Sequence, residues 1–428
     1  MLIPPDITAR LGRPVAVLGS GVSGAAAAQW LVQLGARPVI YDERFGANTR
    51  FGPADAAGHD LVVYSPGFAQ GHPWLRTARA SGARCLGELD FSALFWPSPI
   101  VAVTGTNGKT TLTEFLVHAH KRDGRAAVAV GNVGYPLANV LGQAEGHALL
   151  PVCEVSSFQS EDMEHFAPHN LLWTNIAEDH LDRHGSVEAY FRAKYRLVER
   201  LASPRLFVGE SVAQYACCVG LSLPAFVVVA SRAEVEGKVP PESVFASYPQ
   251  RENYALARRY WLAAGWEESR LEEAASSFVL AGHRLAKVAE VAGVEWWNDS
   301  KGTNFHAVLS ALETFPDVGI HWMGGGLSKG GDLAAFAKAL AGRIRSASLI
   351  GESAPHMRKH LEEQGVLSHV YASLPAAVAA AAQLARPGER VLFSPGFASF
   401  DMFKSYAERG QIFEQAVLAI KNDAMARK

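Results

Sequence analysis

Apolar runs of about four residues recur along the chain, most of them closed by a glycine-containing turn and followed by a stretch of helical composition. Runs this short and this uniformly apolar are strands buried on both faces. Their alternation with helices makes each connection a crossover, so the expected result is parallel sheet covered by helices. The first set is Val15–Leu18, Gly19-Ser20-Gly21-Val22-Ser23-Gly24, a helical stretch over 25–34, then strands Pro38–Tyr41 and Leu61–Tyr64. Prolines around Trp96-Pro97-Ser98-Pro99 mark a break. A second set then opens with a strand over 100–103, a glycine-rich loop and a helix from Thr110. Strands are expected over 126–130, 149–155 and 171–174, and helices over 188–201, 251–264 and 267–278, while 208–248 shows no usable period. Beyond Ala281-Gly282 the alternation returns, with strands ending at Trp297, over 318–323 and 346–350, near His369, and over 391–393. The expectation is an α/β chain of three domains in series, 1–97, 98–281 and 282–428.

Composition narrows the function. The 428 residues are 49% apolar and 19% charged, which excludes a disordered chain. Forty basic and 42 acidic residues leave no surplus for a phosphate backbone, so a nucleic-acid partner is not expected. Four cysteines without a CxxC pair exclude a disulfide framework. No eighteen-residue apolar run occurs, and Met1 to Arg13 lacks the apolar core of a signal peptide. A cytoplasmic protein without membrane insertion is expected.

The sharpest local pattern is Thr104-Gly105-Thr106-Asn107-Gly108-Lys109-Thr110-Thr111, between strand and helix. Successive backbone N–H groups in such a loop, backed by a helix N-terminus, cradle phosphates. The lysine neutralises phosphate oxygens and the following hydroxyl reaches Mg²⁺. The spacing departs from the usual P-loop, which would need glycine at 103, where Val103 stands. Gly19-x-Gly21-x-x-Gly24 with Asp42 downstream suits a pyrophosphate, either that of NAD or that of a nucleotide-sugar. Glu154, ending an apolar strand, and His180 are candidate metal ligands; His180 reads equally as a loop histidine. Lys194 reads by default as a helix-surface lysine. Asp299 and Lys301 follow a strand, at the edge where α/β sheets bind ligands, and Asn304 or Thr303 could cap the next helix. Arg284 could meet a phosphate, and the Gly324–Asp332 loop carries one cation, Lys329, suited to a carboxylate or phosphate. Ser65-Pro66-Gly67-Phe68-Ala69 recurs as Ser394-Pro395-Gly396-Phe397-Ala398, each after an apolar strand; a shared turn preference explains the echo better than duplication.

In this order the motifs resemble the Mur ligases. The carriers are residues 104–111, Gly131-Asn132-Val133-Gly134, Glu154-Val155-Ser156-Ser157-Phe158-Gln159 and Glu178-Asp179-His180-Leu181-Asp182-Arg183. They continue with Tyr190-Phe191-Arg192-Ala193-Lys194, His283-Arg284, residues 298–304 and residues 394–410. The resemblance spans the chain. Residues 156–159 and 394–410 point to the branch that adds D-glutamate to UDP-N-acetylmuramoyl-L-alanine through an acyl phosphate in peptidoglycan precursor synthesis. A related ligase with L-glutamate, another amino acid or another acceptor is the nearest other reading.

The resemblance implies a Rossmann-like N-terminal domain for UDP, a central P-loop ATPase-like domain with a mostly parallel sheet, and a Rossmann-like C-terminal domain for the amino acid. It implies ATP at residues 105–111 (Gly105, Thr106, Asn107, Gly108, Lys109, Thr110 and Thr111), with Asn253, Arg284, Asp299 and Lys301. Mg²⁺, two ions expected, falls to Thr110, Glu154, His180 and Lys194, the last as a carbamate. Lys109, Lys194, His180 and Glu154 are the implied catalytic set. UDP falls to Ser23, Asp42, Arg44 and Gly67; the muramoyl part to Asn132, Ser156 and Gln159; glutamate to Thr303, Lys329, Ser399, Phe400 and Tyr406. A monomer is expected. The chain departs from the family pattern at Gly302, at Gly396-Phe397, and at Pro249-Gln250, where the family begins its helix with an asparagine pair.

Overall fold

The computed structural model describes residues 4–46, 48–143, 146–246, 248–280, 282–316 and 318–426. Ala281, at the second expected break, lies outside the described residues. Three sheets carry the fold. The first has strands β1 (Val15–Leu18), β2 (Pro38–Tyr41), β3 (Leu61–Tyr64) and β4 (Arg84–Gly87), in the order β2-β1-β3-β4, all parallel. The second contains β5 (Val101–Thr104), β6 (Ala127–Gly131), β7 (Leu150–Glu154), β8 (Asn170–Trp173), β9 (Leu206–Gly209) and β10 (Val227–Ala230). Its order is β10-β9-β8-β5-β7-β6, again all parallel. The third contains β11 (Ala286–Val291), β12 (Val294–Asn298), β13 (Ile320–Gly325), β14 (Ser346–Ile350), β15 (Leu367–Val370) and β16 (Arg390–Phe393). Its order is β11-β12-β16-β13-β14-β15, and only β11–β12 is antiparallel.

The expected α/β class with mostly parallel sheets is therefore present. β1, β3, β5 and β8 are buried at every position, as strands covered by helices on both faces must be. The unreadable stretch 208–248 supplies the helix Glu210–Cys218 and the edge strand β10, which is half exposed and so lacks a continuous apolar signature. β11 escapes the pattern as well: its pairing with β12 shifts register between Lys287 and Ala289, breaking the alternation.

The chain forms two compact units. One contains the first two sheets, built from the residues up to Ile176 together with Glu188–Ala246 and Arg251–Phe278. The other contains the third sheet, from Val279 onward, with Ala177–Val187 and residues 248–250. Among the described residues no helix is long and apolar enough to cross a membrane.

Behind the glycine-rich loop, the helix Lys109–Arg122 is anchored by Phe115, fully buried against Phe245 (ring centroids 4.3 Å), Phe278 (5.4 Å) and Tyr254 (6.1 Å). Phe115→Ala should lower unfolding stability by about 3–5 kcal/mol, as measured by urea titration.

Candidate active site

β5 lies in the middle of the second sheet, between β8 and β7, and its C-terminal end opens into the glycine-rich loop. The loop is clamped from the adjacent strand end. Thr106 N–H donates to the Asn175 carbonyl (3.0 Å) and Asn107 N–H to Asn175 Oδ1 (2.9 Å). In return the Asn107 carbonyl accepts from Thr174 Oγ1 (2.6 Å) and Asn175 Nδ2 (3.2 Å). Gly105 has φ +141°, and a Cβ there would lie 1.9 Å from Thr174 Oγ1, so only glycine fits. Lys109 Nζ donates to the carbonyls of Gly105 (3.0 Å) and Thr106 (2.8 Å), which holds its ammonium over the loop. Thr110 and Thr111 open the helix and are buried. Asn253, buried on the helix Gln250–Ala263, sits against the loop: a Cβ at Gly108 would lie 2.6 Å from its Oδ1. Sequence could link Asn253 to this loop only by resemblance; packing brings them together.

Two acid–base groups flank the loop. Glu154, the last residue of β7 and the register partner of Val103, is buried. Its Oε1 accepts from Asn132 Nδ2 (2.7 Å), while the buried Oε2 has no hydrogen-bond partner. A buried carboxylate oxygen left unpaired is costly unless a cation or donor completes it, so this site fits a metal. Among the described residues no group of three or more His, Cys, Asp or Glu side chains is arranged around a metal position. Lys194 is buried on the helix Val187–Glu199, which overturns its default reading as a surface lysine. Its Nζ donates to Thr104 Oγ1 (3.3 Å), lies 4.7 Å from the Tyr190 ring centroid, and so reaches the root of the loop. Ser156 and Gln159 form a capping box on the helix Ser157–Ser160, with Gln159 Oε1 accepting from Ser156 N (3.0 Å) and Oγ (2.9 Å).

On the first sheet, Ser23 lies in the first turn of the helix Val22–Gln33 and Gly67 in the turn after β3. Asp42 joins the turn after β1 to the loop after β2. Its Oδ2 accepts from Ser20 N (2.7 Å) and Oγ (2.8 Å), and its Oδ1 from the N–H groups of Arg44 (2.9 Å) and Phe45 (3.1 Å). The Arg44 N–H first, then both Ser20 donors, hold the carboxyl down at about 2. The Arg44 side chain is exposed.

The second compact unit gathers the remaining candidates. Asp299, between β12 and the helix Phe305–Glu313, accepts from Ser394 Oγ at Oδ2 (2.7 Å) and from Leu285 N at Oδ1 (3.2 Å). Burial raises its carboxyl to about 7, against the opposing effect of these donors and of Arg284 and Arg409. The residue keeps some exposed area, but its carboxyl group is enclosed. Gly302 leaves no room for more: a Cβ would lie 2.6 Å from Asp299 Oδ2 and 2.7 Å from Ser394 Oγ. Its carbonyl accepts from Gly396 N (2.8 Å), so two of the departures from the family pattern touch. Lys301 Nζ lies 5.1 Å from the Tyr406 ring centroid. Asn304 is the cap, accepting from Ala307 N (2.9 Å), while its Nδ2 donates to Asp179 Oδ2 (3.0 Å). Lys329 Nζ donates to Asp179 Oδ1 (2.6 Å). Burial pushes the Asp179 carboxyl up, but Lys329 and His180 outweigh it and leave it lowered. His180, at left-handed φ +55°, starts the helix Leu181–His184. Asp179, His180, Asn304 and Lys329, with Thr303, line a small cleft. Ser399 is buried, whereas Phe400 is 72% exposed.

Two family descriptions match the sequence: Mur ligase middle domain over residues 103–215 and Mur ligase, glutamate ligase domain, over residues 283–397. The chain is similar to the UDP-N-acetylmuramoylalanine–D-glutamate ligase of Desulfotalea psychrophila: 34% identical, with 95% of this chain and 96% of that protein covered. It is similar also to the ligase of the same name from Trichlorobacter lovleyi, at 35% identity over 94% and 97% of the two chains. The chain belongs to the Mur ligase family. The likeness in fold extends to MurF ligase from Thermotoga maritima, solved in complex with ADP, with TM-score 0.56 and 16% identity over 86% of this chain and 96% of that one.

In this Mur ligase three residues support the site with little local sign of that role in the sequence. Thr174 and Asn175 hold the loop, and their signal was only a polar pair at a strand end. Arg409 is fully buried and donates to Ser300 Oγ (3.1 Å) and to the carbonyls of Ser300 (2.8 Å) and Phe397 (3.0 Å), tying two loops to the last helix. Burial lowers its guanidinium to about 10, opposed by Asp401 and Asp299.

Gly105→Ala should weaken binding of a non-hydrolysable ATP analogue by roughly tenfold or more, because the new methyl meets backbone-fixed Thr174; calorimetric titration checks this. Asp299 binds its proton more tightly folded than unfolded, so its contribution favours folding at acid pH and fades as pH rises from about 4 to about 7. Asp299→Asn should flatten that part of the Tm–pH curve.

Proposed function

We propose that the chain joins D-glutamate to UDP-N-acetylmuramoyl-L-alanine with ATP, yielding ADP, phosphate and the amide, as a step of peptidoglycan precursor synthesis. The observation that carries the reading is the full-length similarity to D-glutamate ligases at 34–35% identity. The clamped glycine-rich loop supports it by supplying the phosphate cradle such a ligase needs. The reading assigns UDP to 1–97, ATP to 98–281 and the amino acid to 282–428, in a cytoplasmic monomer.

In the first step an oxygen of the L-alanyl carboxylate attacks the γ-phosphorus and ADP leaves, giving an acyl phosphate. In the second, the glutamate amine attacks the acyl carbon, phosphate departs and the amine loses a proton. Phosphoryl transfer requires positioning and charge neutralisation more than a protein nucleophile. Lys109 neutralises phosphate oxygens beside the loop amides, and Thr110, Glu154, His180 and a carbamylated Lys194 would hold Mg²⁺, in two sites. The unpaired Glu154 Oε2 and the enclosed Lys194 fit such roles. When bound, Mg²⁺ supplies Lewis-acid neutralisation of the transferring phosphoryl group. Asn253, Arg284, Asp299 and Lys301 hold the nucleotide. Asn132, Ser156 and Gln159 hold the muramoyl part; Ser23, Asp42, Arg44 and Gly67 hold UDP. Thr303, Lys329, Ser399, Phe400 and Tyr406 receive glutamate, whose negative charge suits Lys329.

Phosphate release in the presence of ATP, UDP-N-acetylmuramoyl-L-alanine and D-glutamate, but not L-glutamate, is the expected result. Equal release with both enantiomers overturns the stereochemical assignment, and release with neither overturns the reaction. Lys194→Ala should lose most activity and regain part of it with a short-chain carboxylate; full activity without rescue overturns the carbamate.

A further inference from the structure

The segment 84–90, at the last strand of the first sheet, carries three charged side chains that all reach into the part of the same compact unit built around the second sheet. Asp90 is buried on the helix Glu88–Ala93. Its Oδ1 accepts from the N–H groups of His165 (2.8 Å), Phe166 (2.8 Å) and Glu164 (3.2 Å), and its Oδ2 from Glu164 N (3.1 Å). Three consecutive backbone donors thus converge on one carboxylate, an arrangement stronger than three neutral hydrogen bonds. Glu88, also buried, accepts from Ala138 N (3.1 Å) and Ser92 Oγ (3.1 Å) at Oε1. Arg84 pairs with Glu164. None of these residues belongs to the nucleotide loop or to the residues assigned to substrate.

The partners have a common position in the chain. Ala138 lies six residues after Asn132, and 164–166 lie five to seven residues after Gln159. The segment therefore grips, through their backbones, the two stretches that directly follow the proposed muramoyl contacts: the helix Leu137–Leu141 after Asn132 and residues 164–166 after the helix Ser157–Ser160. We infer that Asp90 and Glu88 are positioning residues that index the muramoyl-binding loops to the UDP-binding sheet, so that binding of the UDP end places the alanyl carboxylate for attack. This rests on the proposed ligase reading. Its physical content is that binding energy from the remote UDP group is converted into orientation at the reacting end. Such conversion needs a stiff connection between the two ends, which a buried carboxylate in a ring of backbone donors supplies.

The test compares two acceptors, UDP-N-acetylmuramoyl-L-alanine and N-acetylmuramoyl-L-alanine lacking UDP, with wild type, Asp90→Asn and Glu88→Gln. In the variants kcat on the UDP-bearing acceptor should fall by roughly tenfold or more. Activity on the UDP-less acceptor and the Kd of an ATP analogue should stay within about twofold of wild type. The advantage that UDP confers therefore shrinks. An equal fall on both acceptors, or loss of analogue binding, assigns the two carboxylates to plain structural support and overturns the inference. Variants that keep the whole UDP advantage overturn it as well. Failure of wild type to turn over the UDP-bearing acceptor overturns the ligase reading itself and this inference with it. Should Asp90→Asn fail to fold, as judged by its Tm, the near-isosteric Glu88→Gln decides by the same comparison.

Discussion

The grip of Asn175 and Thr174 on the Asn107 carbonyl and the neighbouring N–H groups is the interaction on which the rest of the glycine-rich loop depends. A glycine-rich loop is entropically expensive to order, because glycine has more conformational freedom to lose than any other residue. The hydrogen bonds from the end of β8 offset that cost before any phosphate arrives. They also fix which way the loop amides point, so the helix Lys109–Arg122 presents its N-terminus toward the same spot. Lys194 then reaches the loop's root through Thr104, and Glu154 stands one strand away on β7.

The same device recurs with different chemistry in the second compact unit. There the buried Arg409 takes the place of a neutral clamp, binding two carbonyls and a hydroxyl. Removing it would leave the buried carbonyls of Phe397 and Ser300 without these donors. The result is a fixed backbone between Asp299 and Lys301, the stretch proposed above to meet the nucleotide. The echoed Ser-Pro-Gly turns also find their use in this light. Each sets its serine hydroxyl against the facing glycine turn: a Cβ at Gly19 or at Gly302 would lie 2.7 Å from Ser65 Oγ or Ser394 Oγ. Close turn-to-turn approach at strand ends is a sufficient reason for the echo without any duplication.

Much of the site was legible because its chemistry is local. Residues 104–111 form a loop whose function is written in consecutive positions, and Asp299 and Lys301 are marked by their place after a strand. Most strands of the sheet interiors were legible too, since burial on both faces leaves a continuous apolar run, but β9, buried at every position, was not expected. What escaped were elements whose identity depends on neighbours: the half-exposed β10, the bulged β11, and β4 with its weak pattern. Lys194 shows the limit most plainly. On its own helix it reads as an ordinary lysine; only the packing of that helix against the second sheet buries it beside Thr104.

Sequence by itself thus determined the α/β class, the glycine-rich loop and the family, because strand burial, glycine placement and motif order are properties of adjacent residues. Only the tertiary structure decided that Asn253 meets Gly108, that Asp179 is shared between Lys329 and Asn304, and that Asp90 binds three amides of a distant loop. Each of these joins segments about 75 to 150 residues apart. Such contacts follow from how helices and strand ends pack, a property that no single stretch of sequence contains.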